Sequence, residues 1–365
     1  YIGNSLSAKG AITFKTFNPI LNIENELTFY EASNDELEEA VNLASIAFKE
    51  FRKTTGKQKA LFLNTIADEI LALDDLLIET YCSETGLPAG RAKGERGRTI
   101  GQLRNFANLV AEGSWVEASI DTADPERTPA PKPDLRKMLI PLGPIVVFGA
   151  SNFPLAYSTA GGDTAAAFAA GCPVIVKSHP MHAGTGELIA SAIVKATIAT
   201  GMPNGVFSNL NSSGIAVGVD LVKHPKVKAV GFTGSIKGGR ALLDLAAKRE
   251  EPIPVFAEMG SVNPVVILPE ALHKNGKNLA KHKHNIVSRE ANITQEMVYV
   301  KSGSMLATIF DQEMNLIEEV VLKEGDMAIM AYGGHGYKIL EDNTKIIEAK
   351  NGPFVSVEVD KEKYE

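Results

Sequence analysis

The sequence predicts an α/β fold: a parallel-sheet, dinucleotide-binding domain over residues 1–278, followed by a small all-β domain over residues 279–365. From Ile145 onward, short apolar segments alternate with helical segments, as in a parallel sheet that helices cover on both faces. In the last part, turn residues separate short apolar segments, which is typical of a sandwich or barrel. The pattern of apolar and turn residues changes near residue 278, so we expect the boundary between the two domains there.

Three helices and a proline-rich segment precede the predicted sheet. Ser33 and Glu36 form a capping-box pattern that opens the first helix, whose apolar residues recur at helical spacing. The same periodicity predicts helices over residues 58–73 and 94–110. Four prolines then fall within residues 123–133. Because proline lacks a backbone donor and restricts the residue before it, we expect an extended connector there.

The alternating region predicts five strands and four helices. The expected strands span residues 145–148, 174–177, 206–210, 227–232 and 255–257. The expected helices span residues 155–170, 184–200, 215–223 and 237–248. Six further strands are expected in the second domain, over residues 298–300, 305–310, 317–322, 327–330, 345–348 and 355–359.

The composition argues against several classes of protein. A net charge of -7 and a pI near 5.6 argue against nucleic acid as the main partner. We expect no membrane span, since no apolar run is long enough, and no signal peptide, since the first residues lack its basic start and apolar core. The two cysteines, Cys82 and Cys172, show no spacing typical of a disulfide scaffold or a zinc site. We therefore expect a reducing, cytoplasmic setting.

Residues that can do chemistry follow four of the predicted strands. Asn152 can donate a hydrogen bond to an oxyanion, and Lys177 can contact ribose hydroxyls or a phosphate. Gly234 and Ser235 lie where a helix N-terminus can receive a phosphate, and Glu258 can act as a base. Taken singly, these residues have ordinary alternatives: a helix-capping Asn, a solvated Lys, a weak turn motif and an exposed loop Glu.

In this order, the residues resemble the aldehyde dehydrogenase family over about residues 1–275. Three motifs are similar to its 2,5-dioxovalerate (α-ketoglutarate semialdehyde) dehydrogenase branch: Gly161-Gly162-Asp163-Thr164, Lys177-Ser178-His179-Pro180 and Glu258-Met259-Gly260-Ser261-Val262-Asn263-Pro264. The resemblance implies NADP- or NAD-dependent oxidation of a small acidic semialdehyde to the carboxylic acid. It also implies a homo-oligomer, because family members are commonly dimers or tetramers.

The resemblance assigns a role to each residue. Asn152 would be the oxyanion donor, and Glu258 would be the base for thioester hydrolysis. The cofactor-binding residues would be Ser151, Lys177, His179, Gly234 and Ser235. Many NAD-preferring relatives carry a Glu where this chain has Pro180. Because that carboxylate would repel a 2′-phosphate, and His179 and His182 lie nearby in the sequence, we favour NADP and keep NAD as an alternative.

One part of the family pattern is missing. The family mechanism needs a thiolate that attacks the aldehyde, and its cysteine follows the base Glu by roughly thirty residues. Both cysteines of this chain precede Glu258, and Cys172 is better explained as a small buried hydrophobe. We therefore predict that the chain as printed does not oxidise aldehydes. An inactive, dinucleotide-binding relative remains an alternative interpretation.

The second domain resembles a cupin, a small β-barrel whose side chains hold one metal. The resemblance implies a ligand set of His282, His284, Glu296 and His335, which would suit a divalent ion such as Fe, Mn, Ni or Zn. Eleven residues separate His284 from Glu296, more than in the cupin pattern, and the first cupin strands are missing. Otherwise the first two histidines belong to a basic, solvated stretch.

Two questions therefore stay open. The chain is either an aldehyde dehydrogenase or a metal-binding cupin protein whose front half is an inactive nucleotide-binding scaffold. The two parts are either fused directly near residues 278–282, or residues that lie between them are missing from the printed sequence.

Overall fold

The computed structural model describes residues 1–260, 296–311, 315–330 and 335–350. The chain divides into two compact units, Tyr1–Val262 and Asn263–Glu365. The boundary expected near residue 278 lies outside the described residues and stays a prediction.

The N-terminal part of the first unit is a hairpin followed by four helices. The hairpin pairs β1 (Thr13–Asn18) with β2 (Ile23–Tyr30), and the helices are α1 (Asn34–Phe51), α2 (Gly56–Ala72), α3 (Asp74–Thr85) and α4 (Ala89–Glu112). The predicted capping box of α1 is confirmed: the Glu36 amide donates to Ser33 Oγ at 3.3 Å, and the Ser33 amide donates to the Glu36 carboxylate at 2.8 Å. A second capping box, formed by Thr55 and Gln58, opens α2.

The proline-rich segment forms the tip of a second hairpin. β3 (Ser119–Asp121) pairs antiparallel with β4 (Leu135–Lys137), and residues 123–133 turn back between them. Asp124 and Lys132 exchange both backbone hydrogen bonds, at 3.0 and 2.9 Å. The segment therefore folds back on itself and is not the extended connector we expected. It can do so because neither of these two residues is proline, so each keeps the N–H that the cross-strand pair needs.

A five-stranded parallel sheet forms the centre of the first unit. Its strands are β5 (Ile145–Phe148), β6 (Val174–Lys177), β7 (Phe207–Leu210), β8 (Ala229–Thr233) and β9 (Val255–Glu258), in the spatial order β7-β6-β5-β8-β9. Between them run α5 (Gly162–Ala170), α6 (Ala183–Ala199), α7 (Ala216–Lys223) and α8 (Ile236–Ala247). The strand order reverses at β5, and ligands bind outside the carboxyl ends of the strands at such a point. The predicted parallel α/β fold is confirmed.

Helices cover this sheet on both faces. Val146 and Val147 are adjacent in β5 and are 0% and 2% exposed, yet they belong to different apolar cores. This follows from the strand geometry, in which successive side chains point to opposite faces. Val147 packs with residues of α2 to α6, and Val146 packs with residues of α1, α7 and α8. Cys172 lies in the first of these cores, as expected for a small buried hydrophobe.

The described part of the second unit is built from strands and turns. The strands are β10 (Glu296–Ser302), β11 (Ser304–Phe310), β12 (Leu316–Lys323), β13 (Met327–Met330), β14 (His335–Ile339) and β15 (Lys345–Lys350). One antiparallel sheet has the order β13-β10-β15, and another has the order β12-β11-β14. Their small core contains Val298, Val300 and Met305. The expected all-β character is found in these residues, and the cupin resemblance stays a prediction.

Candidate active site

The N-terminus of α8 lies at the carboxyl edge of the sheet, next to β8. Ser235 caps this helix, because its Oγ accepts a hydrogen bond from the Gly238 amide at 3.1 Å. The first amides of a helix have no partner inside it, so this turn offers N–H donors to an anion. A Cβ on Gly234 would lie 2.6 Å from the Phe232 ring, so only glycine lets that ring pack beneath the turn.

Lys177 ends β6 and is held by the loop that follows β7. Its Nζ donates to the Ser212 carbonyl at 2.9 Å. Burial lowers the pKa of Lys177 to about 8, and the nearby Glu31 carboxylate opposes that shift. An ammonium group has three donors, so beyond the bond to Ser212 two remain for a ligand among the residues that the structure describes.

The loop after β5 carries Asn152, which is exposed. It lines a cleft of about 680 Å³ together with Ser151, Phe153 and Arg91. The Arg91 guanidinium lies 4.7 Å from the centre of the Phe153 ring, which is a cation–π contact. The loop thus presents the Asn152 amide at an open cleft and holds its neighbour Phe153 against α4.

A buried carboxylate fixes the next part of this loop. Glu95 of α4 is 4% exposed and accepts hydrogen bonds from the Leu155 amide at 2.8 Å, the Ala156 amide at 3.0 Å and the Tyr81 hydroxyl at 2.7 Å. With those amides bound to Glu95, residues 154–160 form turns. Helix α5 therefore begins at Gly162, and our prediction that it begins at residue 155 is wrong. The sequence holds no local signal for this contact, because Glu95 lies 60 positions from Leu155.

Glu258 ends β9 and is exposed at the same edge of the sheet. The Gly234 amide donates to its backbone carbonyl at 3.0 Å, which ties the turn before α8 to the end of β9. Asp163, in the first turn of α5, lies close enough to Glu258 for their charges to interact. Burial is the larger cause and the charge of Glu258 the smaller one, and both raise the pKa of Asp163. A Cβ on Gly231 would lie only 3.0 Å from the Asp163 side chain, so the glycine makes room for it over β8.

The sheet therefore gathers the predicted residues at one edge. Because β5, β6, β8 and β9 are parallel, the residues that end or follow them meet at the same side. A model of the aldehyde dehydrogenase family matches residues 6–305. The chain belongs to the aldehyde dehydrogenase family. The resemblance that we inferred from the motifs is thus confirmed, and the match runs past the boundary expected near residue 278.

The relatives share about half of their length with this chain. It is 53% identical over 280 residues to alpha-ketoglutaric semialdehyde dehydrogenase 2 of Azospirillum brasilense. It is 48% identical over 281 residues to alpha-ketoglutaric semialdehyde dehydrogenase of Acinetobacter baylyi. These matches cover 76% and 77% of this chain and 53% of each relative. The chain thus spans about half the length of these aldehyde dehydrogenases.

Solved structures of the family share the fold. A 1-pyrroline-5-carboxylate dehydrogenase from Thermus with bound NAD superposes with a TM-score of 0.63 at 24% identity, covering 72% of this chain and 49% of that one. A salicylaldehyde dehydrogenase from Pseudomonas putida G7, complexed with salicylaldehyde, gives 0.64 at 22% identity, covering 74% and 53%. At these identities the likeness concerns the fold alone.

The donor set fits the dinucleotide that the family implies. The open amides at the start of α8 suit a pyrophosphate, and Lys177 has donors left for a ribose.

His179 fits less well as a partner for a 2′-phosphate. Burial, then His182 and Lys177, lower the pKa of His179 to about 4, and its Nδ1 accepts from the Met181 amide at 3.3 Å. His179 is therefore neutral near pH 7, which weakens the argument for NADP.

The cysteines of the chain do not resemble an activated nucleophile. Cys172 is 1% exposed, and burial raises the pKa of its thiol. A raised pKa disfavours the thiolate that an aldehyde dehydrogenase needs. Cys82 lies in α3 and is partly buried. Neither follows Glu258 in the sequence, and the expectation that the nucleophile lies outside the printed residues stays a prediction.

The metal site predicted in the second unit is largely outside the described residues. His282 and His284 fall there, and the side chain of Glu296, the first residue of β10, does too. His335 begins β14, is partly buried and lies 5.1 Å from the Tyr337 ring. Among the residues that the structure describes, no group of three or more His, Cys, Asp or Glu is placed to hold a metal. The same residues include no helix long and apolar enough to cross a membrane.

Proposed function

We propose that this chain is the nucleotide-binding part of an NAD(P)-dependent dehydrogenase that oxidises a small acidic semialdehyde, of the 2,5-dioxopentanoate type, to the carboxylic acid. The observation that carries the proposal is the array at the carboxyl edge of the sheet, with Asn152, Lys177, Ser235 and Glu258 after or at the ends of four parallel strands. The substrate class is supported by the two alpha-ketoglutaric semialdehyde dehydrogenases with 53% and 48% identity.

Each residue then has a defined task. Lys177 holds a ribose, and Ser235 with the first turn of α8 holds the pyrophosphate. When bound, the dinucleotide supplies the hydride acceptor. The Asn152 amide donates a hydrogen bond to the aldehyde oxygen as negative charge develops on it, which lowers the barrier. Glu258 removes a proton from the water that hydrolyses the thioester.

The printed chain has no thiolate for the covalent step, so we expect cofactor binding without turnover. The nucleophile is absent either because the two parts of the chain are fused directly, or because residues between them are missing from the printed sequence. The intact mass of the natural protein separates these two explanations. A mass of 39.1 kDa means that the two parts are fused directly. A larger mass means that further residues exist, among which the nucleophile can lie.

A homo-oligomer in the cytoplasm completes the proposal. The hairpin of β3 and β4 exposes large apolar side chains, with Ile120 66% and Leu135 54% exposed. Beyond the hairpin, Ile140 is 63% exposed. Contiguous apolar patches commonly mark association surfaces, and we propose that this hairpin contributes to one. Sedimentation of the chain as a monomer at micromolar concentration would contradict this part.

Binding of NAD⁺ to the whole chain, measured by isothermal titration calorimetry, tests the proposed site. Lys177→Ala should weaken binding about tenfold or more, since it removes charged donors from the ribose. Lys195→Ala is the matched control, because Lys195 is exposed near the other end of α6, away from the carboxyl edge. If neither NAD⁺ nor NADP⁺ binds the wild-type chain, or if both variants behave alike, the proposed function is wrong.

A further inference from the structure

Glu31 follows β2 and is fixed by the loop that follows β7. Its Oε1 accepts hydrogen bonds from the Ser213 amide at 3.0 Å and the Gly214 amide at 3.2 Å, and the Ser213 hydroxyl donates to the same oxygen. Within the described part of the chain, no donor reaches its second oxygen, Oε2. Glu31 is only partly buried. One carboxylate oxygen is therefore held in place and the other is open to a ligand.

This carboxylate lies close to Lys177. The loop holds both charged groups through consecutive residues, since Lys177 Nζ binds the Ser212 carbonyl at 2.9 Å and Glu31 binds Ser213. The Ser213 hydroxyl, the backbone amides and Lys177 lower the pKa of Glu31 despite some burial, so the group is ionised near pH 7. The carboxylate of Glu31 thus lies near enough to the Lys177 ammonium group for each to affect the pKa of the other, and the loop that follows β7 holds both groups.

We propose that Glu31 acts with Lys177 to bind the hydroxyls of the adenosine ribose and makes this site prefer NAD over NADP. The inference rests on the proposed function, because it assumes that a dinucleotide occupies this edge. In dinucleotide-binding folds of this type, an acidic residue near the second strand accepts hydrogen bonds from the ribose hydroxyls. The second strand here is β6, and the residues that follow it, Ser178-His179-Pro180, carry no carboxylate. Glu31 supplies one from a distant part of the chain.

The charge of Glu31 explains the preference. A 2′-phosphate carries close to two negative charges at neutral pH, and repulsion from a carboxylate about 4 Å away weakens binding roughly tenfold or more even in water. The neutral His179 provides no compensating charge. The NADP preference that Pro180 suggested in the sequence is therefore not supported by the groups around Lys177.

Calorimetry on the whole chain tests the inference with NAD⁺ and NADP⁺, and with AMP and adenosine 2′,5′-bisphosphate as probes of the adenosine half. The wild type should bind NAD⁺ more tightly. Glu31→Gln should lower the ratio of the NADP⁺ and NAD⁺ dissociation constants about tenfold, since it keeps an acceptor but removes the charge. Glu26→Gln, on the exposed part of β2, removes the same charge elsewhere and should leave the ratio unchanged.

Each outcome decides the question. An unchanged ratio in Glu31→Gln, or a wild type that prefers NADP⁺, overturns this inference and leaves the proposed function standing. A wild type that binds neither dinucleotide overturns both. Should Glu31→Gln lower the melting temperature more than Glu26→Gln does, Ser213→Ala serves as the second variant. It removes only the hydroxyl that anchors the carboxylate, and it must shift the ratio in the same direction.

Discussion

Glu95 joins α3, α4 and the loop that carries Asn152, and its removal should destabilise all three. The carboxylate is buried and receives the Leu155 and Ala156 amides and the Tyr81 hydroxyl. Glu95→Ala leaves these three donors without their acceptor in a site that is closed to most solvent. Glu95→Gln keeps an oxygen for the two amides and a polar group for the tyrosine. The two variants therefore separate the loss of charge from the loss of the acceptor.

The magnitudes follow from the number of donors left unpaired. A buried donor without a partner costs about 1–3 kcal/mol, but the three costs are not additive, so we expect Glu95→Ala to lower the free energy of unfolding by about 3–5 kcal/mol. Glu95→Gln should cost about 1 kcal/mol, because it weakens charge-assisted bonds without removing them. At about 2–4 °C per kcal/mol for a unit of this size, Glu95→Ala should lower the melting temperature by roughly 10 °C.

Urea unfolding followed by circular dichroism measures both changes, and Tyr81→Phe provides a third variant. Because Phe removes one of the three donors and leaves the acceptor in place, its cost should be about 1–2 kcal/mol. A Glu95→Ala variant that stays within about 1 kcal/mol of the wild type would show that the carboxylate does not hold the loop. If Glu95→Gln is as harmful as Glu95→Ala, the charge and not the acceptor stabilises the loop, which contradicts this prediction.

Four further predictions concern pH and packing. The pKa of Lys177 is lowered to about 8, so its ammonium group loses its charge as the pH rises through this value. The affinity for NAD⁺ should therefore be highest below pH 8 and fall above it. A calorimetric affinity that stays constant from pH 6.5 to 9.5 would contradict this. Gly56→Ala should destabilise the chain by about 1–3 kcal/mol, because its Cβ would lie 2.0 Å from the Val110 carbonyl. Gly101→Ala in α4, with nothing within 4 Å of its Cβ, should stabilise it by about 0.5–1 kcal/mol in the same unfolding assay. Burial raises the pKa of Asp163, so ionised Asp163 destabilises the folded state at pH values above that pKa. Asp163→Asn should therefore raise the melting temperature at pH 8, and this gain should disappear on acidification. Equal melting temperatures of the variant and the wild type at pH 8 would refute this.

The strands of the sheet were predicted to within about two residues at each end. Short apolar segments bounded by glycine, proline or a polar residue identify buried strands without knowledge of their neighbours. The predicted start of α5 was wrong because it depends on a contact with a distant residue. Residues from Leu155 look helical in isolation, and it is the contact of their amides with Glu95 that holds them in turns. The hairpin at residues 123–133 was missed in the same way, since its strands are exposed and its cross-strand bonds are not a local property.

Local sequence was sufficient to identify the family and the residues at the strand ends. Asn152 and Ser235 follow recognisable strands, Lys177 and Glu258 end others, and parallel strands bring their carboxyl ends to one edge. The environment of those residues required the folded chain. Glu31 meets Ser213 across 182 positions of sequence, and burial, together with His182 and Lys177, lowers the pKa of His179. Contacts and burial of this kind depend on which surfaces pack together, and no spacing pattern within a single segment encodes them.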